Sequence, residues 1–279
     1  MIYRILLLTL FVIAKSLNVH AEAPTKLDRA MELLSQTESG SKELGEAKSA
    51  GIPIKEGLVS KTEVTATRTI QGTDENYTFK TQVLIASDKD PVFQALDLAH
   101  ELVHANHPKE NPFNPKLNAG DYVRHGIEGK GGEADAIAKE CEVGKEMTES
   151  KVLQSQIKAD TLDLIKARCQ FVWKTAANDS KWKQSFYFMG QYYRDFVSQV
   201  SGLKIGAEEK ASLDEKLEPR SPLFASAVAH KPYPLALLEE YVEITKRVCS
   251  RGRTVRSVGR AVASIPLLKE RCNEVGVSF

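Results

Sequence analysis

Asp97-Leu98-Ala99-His100-Glu101-Leu102-Val103-His104-Ala105-Asn106-His107 lies about a third of the way along the 279-residue chain and sets two histidines four residues apart around a glutamate. On a helix, residues four apart stack one turn above another on the same face. His100 and His104 can therefore offer two imidazole nitrogens to a single ion, with Glu101 projecting beside it. His-Glu-x-x-His is the spacing that supplies two ligands and a general base from one helical turn. Zinc in such a site lowers the pKa of water to roughly 7, and a carboxylate within reach takes the proton as the hydroxide attacks a carbonyl.

The flanks support a helix. Ser87-Asp88-Lys89-Asp90-Pro91 reads as a loop with Asp90 as N-cap and Pro91 at the first helical position, and the helix should stop before Pro108. Upstream, VSKTEVTATRTIQ (59–71) alternates and is rich in Thr and Val, Gly72 to Asn76 carries turn chemistry, and YTFKTQVLIA (77–86) follows. This predicts a β-hairpin. Farther upstream, Lys26 to Leu44 reads as a helical lead-in closed by Gly51-Ile52-Pro53, with Leu27, Met31 and Leu34 at helical spacing. Downstream, residues 108–132 are rich in Gly and Pro and predict a long irregular loop. Helix resumes from Glu133 to Met147, and residues 151–279 are mainly helical, broken by four prolines between Pro219 and Pro234.

With this context the chain resembles the zincin metallopeptidases, in particular the gluzincin-like group whose third zinc ligand is a glutamate on a following helix. The resemblance spans about a third of the chain, from the strand 77–86 through AHELVHANH to GGEADAIAKE. It implies a Zn2+ cofactor held by His100, His104 and Glu133, with Glu128 as the reserve third ligand and Glu101 as catalytic general base. It also implies that substrate lies extended along the strand ending near Ala86. His107 and Glu110 exclude the metzincin pattern, which needs Gly and His there. In membrane-associated zinc proteases with a similar Glu-x-x-Ala-Asp run, the ligand stands four residues before the aspartate. Here that position is Gly131. Asp97 or Asp135 could accept the other ring N–H of a ligating histidine. Tyr122 and His125 are candidate oxyanion donors, as are Tyr192, Tyr193, His230 and Tyr233. His107 reads as a bystander at the helix end.

The first residues, MIYRILLLTLFVIAKSLNVHAEAP, place Arg4 before an apolar run too short for a membrane span, followed by Val19-His20-Ala21. This predicts a signal peptide over 1–21, cleaved on export to the periplasm or beyond, with an uncleaved anchor as the alternative. Four cysteines fall after it. Three connectivities are possible, and pairing between sequential helices favours Cys141–Cys169 and Cys249–Cys272 over free thiols. A net charge of +1 argues against nucleic acid as a partner, and 42% hydrophobic residues suffice for a substantial core.

The expected architecture is α+β: a small sheet packed on an active-site helix within residues 55–150, a helical lead-in over 22–54, and a helical part over 151–279 completing a cleft. The expected activity is hydrolysis of a peptide or protein substrate. The alternatives are a zincin-fold binding or inhibitory protein without turnover, or a helical exported protein of structural role.

Overall fold

The computed structural model describes residues 23–71, 74–107, 117–176, 233–254 and 266–278. The expected signal segment, the aromatic cluster 186–196, the proline-rich break up to residue 232, and Tyr192, Tyr193 and His230 lie outside these residues. The chain is mixed α+β, mostly helical, with one small sheet. The described residues begin with two helices, α1 (Lys26–Ser35) and α2 (Glu38–Ser49). Three strands follow, β1 (Ile54–Gly57), β2 (Lys61–Gln71) and β3 (Asp74–Ala86). The remaining helices among the described residues are α3 (Pro91–Asn106), α4 (Ala119–Glu128), α5 (Glu133–Glu149), α6 (Lys151–Gln154), α7 (Ala159–Ala176), α8 (Tyr233–Thr254) and α9 (Pro266–Glu274). Among the described residues, no helix is long and apolar enough to cross a membrane.

The lead-in is two helices rather than one. Thr25 and Thr37 each adopt extended backbone and accept a helix N–H through the side chain, from Asp28 and Gly40 respectively, so each starts a new helix. Glu146 of α5 accepts from the backbone N–H groups of Glu38 and Ser39 at 2.5 and 3.2 Å, which seats the start of α2 on the later part of the chain. Leu27, Leu33, Leu34 and Ala47 share one buried cluster with Leu96, Leu98 and Leu102 of α3. The lead-in is thus part of the wall behind the histidine helix.

β2 and β3 form the expected hairpin, antiparallel with Gln71 opposite Asp74. Asp74, Glu75 and Asn76, expected in the turn, belong to the ladder instead. β1 was not anticipated. It pairs in parallel with β3, Ile54 opposite Val83 through Gly57 opposite Ala86, giving the strand order β1-β3-β2. β3 is therefore paired on both sides where it approaches α3, and the edges of the sheet are β1 and β2. The strand ending at Ala86 is not the edge strand that the resemblance implied.

α3 begins as read, with Asp90 accepting from Val92 N and Pro91 in the first turn. It is buried almost all round, as expected for a helix at the centre of a fold rather than on its surface. Leu96, Leu98 and Leu102 are fully buried, each contributing roughly 1.5–3 kcal/mol by removal from water.

Where a long loop was expected, residues 119–128 form α4, capped by Asn118. Its glycines had suggested irregular backbone. Gly126 instead marks a close helix contact, because a Cβ there would stand 2.8 Å from Leu237 Cδ1 of α8. Tyr122, Val123 and Ile127 complete that contact with Leu235, Leu238 and Tyr241.

Cys141–Cys169 and Cys249–Cys272 are at disulfide-bonding distance, with Cα separations of 5.3 and 5.5 Å, in the pairing that sequential helices favoured. The first ties α5 to α7 across a sequence separation of 28 residues. Closing a loop of that length restricts the unfolded chain by about 3–4 kcal/mol. Replacing Cys141 and Cys169 together by serine is expected to lower the unfolding free energy by that amount, measured by urea denaturation without reductant.

Candidate metal centre

α3 and α5 face each other at His100, His104 and Glu133, which form a group that could hold a metal ion. His104 Nε2 stands 3.2 Å from His100 Nε2. Glu133 spans both rings, with Oε1 at 3.0 Å from His104 Nε2 and Oε2 at 3.4 Å from His100 Nε2. Three donor atoms therefore converge on one point, two from successive turns of α3 and one from the first residue of α5. Glu133 is 9% exposed, and its place at a helix N-terminus favours a carboxylate there.

The second nitrogen of each ring fixes its tautomer. His104 Nδ1 lies 2.8 Å from the carbonyl oxygen of Gly131. A carbonyl only accepts, so Nδ1 carries a proton, and Nε2 is the nitrogen that faces the common point and can ligate when unprotonated. His100 Nδ1 faces Glu140 Oε2 at 3.5 Å, which favours the same arrangement. Burial opposes charge on His100, and the carboxylates of Glu133, Glu140 and Glu101 together outweigh it, holding the imidazole pKa well above its ordinary value. Burial likewise opposes charge on Glu133, and His104 and His100 together hold its carboxyl well below the usual range.

Gly131 matters through its backbone. It sits at φ +73°, donates its N–H to Asp135 Oδ2 at 3.1 Å, and turns its carbonyl to His104. A Cβ there would meet His107 Cβ at 2.3 Å and His107 O at 2.4 Å. Asp135 thus bears on His104 through the Gly131 backbone. His107, the C-cap of α3, supplies the wall that keeps position 131 free of a side chain. Gly131→Ala is expected to cost about 1–2 kcal/mol from left-handed backbone alone. It should also weaken divalent-metal uptake by moving the carbonyl, as read by thermal unfolding with and without metal.

Glu101 is 9% exposed and points toward the sheet, where Thr62 Oγ1 lies 2.9 Å from its Oε2 and 2.7 Å from its backbone oxygen. One turn earlier, Asp97 accepts from Ser60 Oγ and pairs with Lys89 Nζ. Two residues of strand advance roughly 6.6 Å and four residues of helix about 6 Å. Ser60 and Thr62 therefore match Asp97 and Glu101 rung for rung, and β2 is pinned along α3 beside the metal group. Asp97 serves this clamp and not a histidine ring.

The remaining candidates stand apart. Tyr122 is 3% exposed within the α4–α8 contact. Its burial, with the Glu240 carboxylate hydrogen-bonded to it, pushes its phenol pKa far up. His125 is exposed on α4, Glu128 is the last residue of α4 and lies outside the metal group, and Tyr233 opens α8. Glu140 was missed by sequence reasoning, although its spacing of seven residues from Glu133 places both on one helix face.

No protein-family model, curated protein or solved structure matches the chain.

Proposed function

We propose that the protein is an exported zinc-dependent peptidase of zincin-like architecture, with His100, His104 and Glu133 as zinc ligands and Glu101 as general base. The observation that carries this reading is the convergence of those three side chains, with the Nε2 atoms of both imidazoles facing the Glu133 carboxylate. Donor atoms about 2.0–2.2 Å from a tetrahedral zinc lie roughly 3.3–3.5 Å apart. The two Nε2 atoms are 3.2 Å apart, and each lies 3.0–3.4 Å from one of the two Glu133 oxygens, close to that spacing. Two imidazoles and one carboxylate are also a zinc donor set that leaves a position for water or substrate.

When bound, zinc supplies Lewis acidity toward a carbonyl oxygen and brings the pKa of water to roughly 7. The chain's own residues do the rest. Glu101, held by Thr62 through one oxygen, accepts the proton of the attacking water and later delivers it to the leaving amine. The open edge of β2, pinned beside Glu101, is where an extended peptide backbone can add. The two disulfides are compatible with an oxidising compartment outside the cytoplasm.

Zinc requires both imidazoles unprotonated at Nε2, and His100 in the metal-free protein has its pKa raised by Glu133. Charge on His100 stabilises the metal-free fold fully below about pH 6.5, and this contribution is lost as pH rises through the raised pKa. Zinc affinity therefore has the opposite slope. It should rise with pH across neutrality, with a proton released per zinc bound, as measured by calorimetry in buffers of different ionisation enthalpy. A generic peptide-cleavage screen with and without chelator tests the activity. Cleavage lost to chelator and restored by zinc supports the reading, and cleavage indifferent to chelator contradicts it.

A further inference from the structure

We propose that Glu140 and Arg168 are positioning residues for His100, an inference that rests on the metal-centre reading above. Glu133 and Glu140 stand two turns apart on one face of α5, and the imidazole of His100 lies between them. Its Nε2 is 3.4 Å from Glu133 Oε2 and its Nδ1 is 3.5 Å from Glu140 Oε2. Glu140 is 2% exposed, and a carboxylate that deeply buried needs a cation. Arg168 of α7 supplies it as an ion pair, with Nε 2.7 Å from Glu140 Oε1 but without the alignment of a hydrogen bond.

The next residue on each helix, Cys141 and Cys169, is covalently joined across the same gap, with the Cα atoms 5.3 Å apart. Ion pair and disulfide thus fix α7 against α5 at one level, and that level is the one that meets His100 Nδ1. An ionised carboxylate there holds the proton on Nδ1, keeps the Nε2 lone pair toward the ligand point, and resists rotation of the ring. His104 has a different support, the neutral carbonyl of Gly131 at 2.8 Å. The two ligating histidines are therefore oriented independently, and loss of Glu140 acts on His100 alone.

Removing a partner of this kind weakens metal binding by roughly 10–100-fold. A pair that merely joined two helices would instead lower the stability of the metal-free protein and leave metal affinity unchanged. The test uses the mature disulfide-bonded chain and Glu140→Gln, Arg168→Met and Arg168→Lys variants. Each is titrated with zinc against a chromophoric chelator, loaded with Co2+ for its visible absorption spectrum, and melted without metal. The expected result is zinc affinity lowered about 10–100-fold in Glu140→Gln, a smaller loss in Arg168→Met that Arg168→Lys partly restores, and altered Co2+ bands. Metal-free melting should fall in Arg168→Met, which leaves a buried carboxylate without its cation, and less in Glu140→Gln, so zinc affinity and the Co2+ bands are the deciding readouts.

Arg168→Met leaves Glu140 in place and keeps the question answerable if Glu140→Gln does not fold. Wild-type zinc affinity and an unchanged Co2+ spectrum in the variants would overturn the assignment, whether or not melting changes. If the wild-type chain itself takes up neither ion, the metal centre fails and this role for Glu140 and Arg168 fails with it.

Discussion

Glu133→Ala is expected to lower zinc affinity by more than about 100-fold while leaving the fold intact. Zinc held by a full protein donor set is bound by an apparent free energy on the order of 10 kcal/mol or more. Losing one of three protein ligands removes roughly a third of that, or about 3 kcal/mol. Glu133 is also the only one of the three from α5, so its loss leaves the ion on two nitrogens from a single turn of α3. The fold should tolerate the change, because Glu133 lies in the first turn of α5, and Ala134 and Ile137 provide that turn's burial. Competition titration with a chelator measures the affinity, and far-ultraviolet circular dichroism checks the fold. Affinity within a few-fold of wild type would remove Glu133 from the ligand set.

Glu101→Gln is expected to reduce kcat by about 10²–10⁴-fold with zinc content unchanged. Glutamine has nearly the same shape, and its amide oxygen can still accept from Thr62, so the contact between α3 and β2 survives. What disappears is a group able to take a proton near neutral pH. The donors of His100, His104 and Glu133 converge without Glu101, so metal retention should not follow activity. Equal cleavage by the variant and the parent would show that proton transfer does not run through Glu101. Loss of zinc along with activity would show that the carboxylate belongs to the ligand set.

The histidine helix was legible because its signals are local. Asp90 and Pro91 mark its start, the apolar residues round it imply a buried helix, and the four-residue spacing of His100 and His104 puts them on one face. The hairpin and the pairing of cysteines between sequential helices were legible for the same reason. What escaped is set by distant parts of the chain. β1 is four residues whose pairing with Val83 to Ala86 has no local signature, and its arrival moves β3 away from the sheet edge. α4 was hidden by Gly120 and Gly126, read as loop residues, although Gly126 admits Leu237 from more than a hundred residues away.

The site shows the same division. The three residues of the candidate metal group could be read from one short stretch and one helix start. The groups that orient the rings could not, since Gly131 acts through its carbonyl and a positive φ, and Glu140 through a face that only the packing of α3 on α5 reveals. Asp97 and Asp135 have the right chemistry to orient a histidine. Their positions commit them to Ser60 and Lys89 in one case and to the Gly131 N–H in the other.

The central claim is that His100, His104 and Glu133 hold zinc. Elemental analysis of the purified chain, loaded with zinc and dialysed against a weak chelator, measures this. The account predicts one zinc per chain, and a chain free of stoichiometric zinc after loading would contradict it.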